Sequence, residues 1–571
     1  MSRIREEPAR RLAINTDGND MMYLFKLSSV IFLVLLTTIG LFAQDVIADN
    51  GMVASAHPLA SQAGIEILHQ GGNAVDAAVA TALALSVVEP NASGLGGGGF
   101  VVLKMADSDE SVTIDYREIA PQKAVADFYY SDSSSFSHLT KSGPNSIGVP
   151  GAPAGLSLAL EKYGTMNFSQ VLKPAITLAE EGFEISPNFE NIIFNAYELI
   201  LANPATASIY LMDDLPAPAG TLIKNTDLAN TLRLLSDKGV NEFYNGALAN
   251  KISAYIQQQG GIIQEPDLAV YKALIKQPVY GEYRGFQIFS SAPSAGGGTH
   301  LVELLNILEG FNLKKMKNAP AKYLHIFAES LKMVLMDKAY NMADPEFYYV
   351  PVEELISKKH AEEIRNHINF TITSSTYKAP VWLSRESGST THLSVVDRKG
   401  NIVALTQSIN AWFGSGITIP GTGIIMNNHL ADFDSEAGHP NSIEPGKRPV
   451  SSIAPTILLK DEKPFLTIGT PGGSRIIGVL AQIIVNIIDF DMTIDEAIEA
   501  PRIHVENNIL HIEGRVSESV IESLKKMGHS VKLHPDFDNY FGGAQGIFVN
   551  PETAKRMGGA DSRRDGVVIG Y

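Results

Sequence analysis

Residues 389–397 read Ser389-Thr390-Thr391-His392-Leu393-Ser394-Val395-Val396-Asp397. A hydroxyl-rich entry runs into apolar–polar alternation, which predicts a strand over residues 391–397. Ahead of it, residues 371–389 form a polar stretch with no predicted strand; behind it a second, compact block of sequence begins. This arrangement predicts a cut between Ser389 and Thr390 that makes Thr390 a new amino terminus. A threonine hydroxyl is a poor nucleophile without a base, and an amino-terminal threonine carries one in its own amine, which titrates near ~7.7–8.0. Taken alone, Ser-Thr-Thr-His reads equally well as a loop entering a hairpin.

The residues that follow decide between the two. Arg398-Lys399-Gly400-Asn401 forms a turn signal, and a second strand is predicted over residues 402–408. The hairpin sets Ser408 opposite Thr390 or Thr391, depending on register, with Asn410 just beyond. Residues 465–469 read as a short strand. After them Thr470-Pro471-Gly472-Gly473-Ser474-Arg475 opens an apolar helix running to about Asp489. Glycines at a helix start leave backbone N–H groups free for a close ligand, the donors an acyl-transfer oxyanion requires. By themselves they also read as an ordinary strand–helix turn.

Ten motifs, in order, carry a family resemblance. They are GGNAVDAAVA (71–80), GLGGGGF (94–100), DYREIAP (115–121), SIGVPG (146–151), KPAITLAEEGF (173–183), TTHLSVVD (390–397), INAWFGSGI (409–417), KRPVSSIAPTI (447–457), GTPGGSRI (469–476) and GGADSRRDG (558–566). The chain resembles the γ-glutamyltransferase (glutathione hydrolase) family of N-terminal nucleophile hydrolases from about residue 47 to its end. The resemblance implies an α/β (α+β) fold, a four-layer αββα sandwich, which periodicity by itself only permits. It implies cleavage between Ser389 and Thr390, with Thr390 as nucleophile in both cleavage and turnover. Ser408 stands where the family keeps a second hydroxyl, usually threonine, and Gly472 and Gly473 stand at the oxyanion hole. Arg117, Ser451 and Ser452 would hold the α-carboxylate of a γ-glutamyl donor, and Asn410 and Asp432 its ammonium. The chemistry suits the roles, since a guanidinium fork matches a carboxylate and a carboxylate matches an ammonium.

Each of these residues also has a plainer reading. Arg117 lies in an Asp115-x-Arg117-Glu118 cluster that could be a surface ion pair, Asp432 could be a turn residue, and Ser451-Ser452 a loop. The glycine run 96–99 follows a helix and precedes a strand, without Gly-Lys-Ser/Thr. It therefore reads as a close backbone crossing near the site and not as a phosphate loop. Two departures from the family bear on the donor. His429 replaces a usual Gln or Glu at the donor ammonium, beside Ala431 in place of an Asp. A protonated imidazole there would repel the ammonium, so donor affinity is expected to fall as pH drops through ~6.5. Between Asp432 and Arg448 the chain is short, and the lid of several family members is expected to be missing.

Composition sets bounds on the rest. The 571 residues include 45% hydrophobic residues and no cysteine, with a formal charge of −17. That charge argues against nucleic acid and anionic membrane surfaces, and the missing cysteines exclude disulfides. The fourteen histidines show no ligand spacing, so no metal is expected, and no cofactor. His57 before Pro58 reads as structural. The uncharged run at residues 27–42 predicts a signal peptide cut after about Ala43, with translation starting at Met1, Met21 or Met22; an uncleaved anchor is the alternative. The expected organisation is a leader over 1–43, a large fragment over 44–389 and a small fragment over 390–571. The two fragments form one intertwined unit, a heterodimer, periplasmic or secreted. Helices are expected over 73–88 with Asn73 as N-cap, 300–308, 322–344 and, from the Thr493-x-x-Glu496 capping box, 494–500.

The function expected is transfer of the γ-glutamyl group of glutathione and related amides to water, an amino acid or a dipeptide. Two alternatives stand beside it: an acylase of the same fold acting on β-lactam side chains or poly-γ-glutamate, and a silent homologue that only binds γ-glutamyl compounds.

Overall fold

The computed structural model describes residues 46–132, 134–374 and 389–571. The expected signal peptide, its expected cleavage point and most of the polar stretch before Ser389 lie outside the described residues.

The predicted hairpin forms. Strand Thr391–Val396 pairs with Ile402–Ser408, and Thr391 faces Gln407 while Val396 faces Ile402. This register settles the open choice by placing Thr390 against Ser408. The turn between the strands is built by one side chain. Asp397 Oδ1 accepts from the amides of Lys399 (2.8 Å) and Asn401 (3.1 Å), with Gly400 at φ 88°. Both strands are buried at every position, so the alternation does not mark a wet face; both sides of the sheet are covered.

Those strands are central in a seven-stranded antiparallel sheet. Met52–Ser55 and Val567–Gly570 flank them on one side; Gly98–Lys104, Ser111–Asp115 and Leu274–Lys276 flank them on the other. A second seven-stranded sheet contains Val46–Ala48, Val279–Tyr283, Phe286–Ser290, Thr456–Lys460, Lys463–Gly469, Gln545–Val549 and Arg556–Ala560. An apolar layer including Met52, Val102, Ile402, Ile457 and Ile547 fills the space between the sheets. Helices Pro58–His69 and Ala74–Val88 cover the first sheet; Gly296–Glu309 and Arg475–Ile488 cover the second. The result is the four-layer αββα sandwich. Each sheet mixes strands from before and after Ser389.

Local signals hold at the helix starts. Asn73 caps Ala74–Val88 in a full capping box with Asp76, and Thr493 caps Ile494–Glu499 with Glu496. The helix expected over 322–344 spans Pro320–Asn341. The one expected over 300–308 begins four residues earlier, at Gly296, so its three glycines are helical and not a loop. A Cβ on Gly297 would sit 2.2 Å from the Ser452 carbonyl oxygen, and one on Gly298 2.2 Å from that of Ser291. Tertiary approach thus overrides the low helix propensity of glycine. His57 is structural as expected, its Nδ1 accepting from the Leu59 amide at 3.2 Å. Among the described residues no helix is long and apolar enough to cross a membrane.

Candidate active site

The close crossing read from glycines 96–99 sits directly behind the hairpin. A Cβ on Gly97 would lie 2.2 Å from the Ser408 carbonyl oxygen, and one on Gly96 2.1 Å from that of Ile425. Only glycine lets these backbones touch, and the contact fixes the strand end that carries Ser408.

Thr390 Oγ1 donates to Ser408 Oγ at 3.1 Å, and Ser408 Oγ accepts the Asn410 amide at 2.8 Å. Ser389 Oγ bonds to the Asn410 carbonyl. Thr390 is buried and holds φ at +145°, a region that β-branched residues avoid, so the backbone is strained at the expected scissile junction. Its carbonyl accepts from Arg564 Nη1 at 2.9 Å. The strand Lys463–Gly469 then delivers Gly472 (φ 140°) and Gly473 (φ 57°) ahead of the helix Arg475–Ile488. Among the described residues neither glycine amide is used in a hydrogen bond. His392 locks the two sheets in place here, bonded to Thr406 Oγ1 (2.7 Å) and Ser394 Oγ (3.0 Å) and packed on Gly469. Burial pushes its pKa down to about 3, so it acts as a neutral spacer.

Arg117 is fully buried, which overturns the surface reading. Its Nη2 contacts Asp432 Oδ2 at 2.5 Å and its Nε donates to the Pro449 carbonyl at 3.1 Å. Asn410 Nδ2 donates to Asp432 Oδ1 at 3.0 Å. Asp432 ends a short 3-10 turn, His429–Asp432, so the turn reading describes its backbone but not its side chain. A cavity of about 20 Å³ has Arg117, Thr390, Ser408, Asn410, His429, Asp432, Ser451, Ser452 and Gly473 in its wall. Of the expected catalytic and binding residues only Gly472 is not part of that wall. No residue from 433 to 450 enters it either; that stretch folds back on itself through Asn441, which donates to the Asp432 carbonyl at 2.8 Å.

A family model described as gamma-glutamyltranspeptidase matches residues 60–571. The chain is 38% identical to the glutathione hydrolase proenzyme of Escherichia coli (strain K12), covering 92% of each. It is also 38% identical to the acylase ACY 1 proenzyme of Pseudomonas sp. (strain SE83), covering 91% of this chain and 93% of that one. The crystal structure of cephalosporin acylase from Bacillus halodurans superposes with a TM-score of 0.85 at 29% identity, over 94% of this chain and 98% of that one. The chain belongs to the γ-glutamyltranspeptidase family.

Within this γ-glutamyltranspeptidase-family site, His429 differs from its sequence reading. Its Nδ1 lies 2.8 Å from Glu118 Oε1. Burial, reinforced by the Arg117 charge, holds the imidazole pKa well below its usual value. Burial pushes Glu118 up to about 8, against the opposing pull of Arg117. Both shifts favour the uncharged form, so the pair stays neutral near pH 7. His429 therefore does not take up a proton near pH 6.5, contrary to the sequence expectation, and no imidazole charge arises there to weaken donor affinity. Sequence reasoning also missed Arg564 and Glu89. Arg564 sits between Glu89 (3.9 Å) and the Trp412 ring (5.0 Å to its centre), and burial pushes Glu89 up to about 7. Their only sequence signal was membership of the last quoted motif and of the stretch before glycines 94–99.

Proposed function

We propose that this chain is a γ-glutamyltransferase with glutathione hydrolase activity that matures by cutting itself before Thr390. The observation that carries the proposal is the single cavity in which the Thr390 hydroxyl shares a wall with buried Arg117 and its partner Asp432. In maturation, Thr390 Oγ1 bonds to the Ser389 carbonyl carbon while the Ser389–Thr390 C–N bond breaks. The hydroxyl proton passes to the departing nitrogen, and water then hydrolyses the ester. The large and small fragments stay together because both sheets are shared between them.

In turnover the freed Thr390 amine takes the hydroxyl proton as Oγ1 attacks the γ-carbonyl of glutathione or a related γ-glutamyl amide. Ser408 holds the hydroxyl, and the Gly472 and Gly473 amides receive the oxyanion. The departing amine takes the proton back. Water, an amino acid or a dipeptide then resolves the γ-glutamyl ester. Arg117 and Asp432 neutralise one another in the uncut chain, and the cavity beside them has room for about one water. A zwitterionic headgroup exchanges with that pair: its carboxylate takes Arg117 with Ser451 and Ser452, and its ammonium takes Asp432 with Asn410. Export through residues 27–42 belongs to the same proposal.

The relatives include both glutathione hydrolases and acylases at equal identity, so the headgroup residues carry the choice of donor. The test is Arg117→Lys, which keeps the charge and loses the bidentate fork. It is expected to raise donor KM by about tenfold to a hundredfold, roughly 1.4–3 kcal/mol, while self-cleavage continues. Unchanged kinetics on γ-glutamyl amides, with turnover of a cephalosporin side chain, would favour the acylase reading.

A further inference from the structure

Three helices on the outer face of the second sheet bring together side chains that the proposed reaction does not use. Glu303 comes from Gly296–Glu309, Asp337 from Pro320–Asn341 and His360 from Lys358–His367. Their ligand atoms all lie within 4.8 Å of one another. His360 Nε2 is 2.9 Å from Asp337 Oδ2 and 3.4 Å from Glu303 Oε1. Ligands around a tetrahedral zinc, at roughly 2.0–2.2 Å from the metal, stand roughly 3.3–3.5 Å apart, so only small movements separate this cluster from such a geometry.

A second observation points the same way. Glu303 is fully buried, yet its Oε1 makes no well-aligned hydrogen bond and faces the cluster, with His360 Nε2 at 3.4 Å. Its other oxygen is held at 2.5 Å by His300 Nδ1, the kind of outer contact that orients a metal-binding carboxylate. Asp337 and His360 are each 27% exposed, which leaves an opening for an ion and a water ligand. Two carboxylates balance a divalent charge once the cation displaces the proton that His360 shares with them, and one nitrogen with two oxygens suits a borderline cation.

We propose that Glu303, Asp337 and His360 bind a zinc-like divalent cation that pins the three helices together. The sequence showed no spacing motif because each ligand comes from a different helix. The ion's place is structural. It braces the helix whose first amide, Gly296 N, donates to the Ser451 carbonyl at 2.7 Å beside the donor cavity. The competing arrangement is a protonated His360 bridging the two carboxylates with no metal.

The test uses the full-length processed protein, stripped with a chelator, incubated with Zn²⁺ and desalted. One zinc per chain is expected to remain by elemental analysis, with a raised Tm. Co²⁺ in its place is expected to give the visible absorption of a tetrahedral site. Glu303 is too buried for a clean variant, so Asp337→Asn and His360→Gln are used, with self-cleavage reporting that each has folded. Each is expected to weaken zinc retention by at least about tenfold. No stoichiometric zinc in the parent, or retention in both variants as strong as the parent's, would overturn the proposal.

Discussion

At the scale of single residues, the site is governed by burial as much as by residue type. Asp115-x-Arg117-Glu118 looks like an exposed charge cluster in sequence, because nothing local says that Pro449, Val450 and Asp432 will close over it. Thr390, Ser408 and Asn410 were legible, since one hairpin and its exit carry all three; its register, which decides whether Ser408 meets Thr390 or Thr391, was not. Glu118 makes a test of the buried environment. Its carboxyl titrates at an ordinary value of 4.5 when unfolded and at about 8 in the fold. Between those values the folded chain keeps a proton that the unfolded chain has lost. The group therefore makes stability fall as pH rises from about 4.5 to about 8, by up to about 1.4 kcal/mol per unit. Glu118→Gln, neutral at every pH, is expected to flatten the decline of Tm across that window. Glu89, raised to about 7 for the same reason, leaves a residual slope. Parallel Tm profiles for parent and variant would mean that Glu118 is ionised in the fold.

Among elements, the strands and capped helices followed from local chemistry, and the departures came from contacts between distant segments. Asn73 and Thr493 announced their helices through side chains that bond within one turn. Gly296–Glu309 began early because its glycines meet the backbones of Ser291, just upstream, and of Ser452, which is remote in sequence. The same physics makes Gly97 a sharp probe of how the strand Ile402–Ser408 is seated. Gly97→Ala would drive a methyl against the Ser408 carbonyl, and overpacking of this kind costs about 1–3 kcal/mol. It is expected to lower Tm and slow the appearance of the two fragments. Gly94→Ala is the control, since a Cβ there meets nothing within 4 Å. Equal maturation of the two variants would show that the Gly97–Ser408 contact does not position the hydroxyl.

Across the whole molecule, the carboxy-terminal segment reaches back to Thr390, and no local pattern could have shown it. Asp561 pairs with Arg502 (2.6 Å) and Arg563 (2.9 Å), and Arg563 also pairs with Glu513 (2.6 Å). This buried network holds the loop from which Arg564 reaches the Thr390 carbonyl. Arg564→Met keeps an unbranched stem against Trp412 and removes that donor. Maturation is expected to slow by about tenfold or more, a loss of ~1.4 kcal/mol or more, seen as accumulating uncut chain. Unaltered cleavage would assign Arg564 to packing alone. Both sheets interleave strands from either side of residue 389, so a cut there should leave the sandwich intact. The central claim is that Thr390 is made an amino terminus by the chain itself and then serves as the nucleophile. The most direct measurement is amino-terminal sequencing of the smaller fragment from purified active protein, run beside Thr390→Ala. The account predicts a fragment beginning Thr-Thr-His-Leu in the parent, and a single uncut, inactive chain in the variant. An active parent that stays in one piece, or a Thr390→Ala chain that still cuts and turns over γ-glutamyl amides, would contradict it.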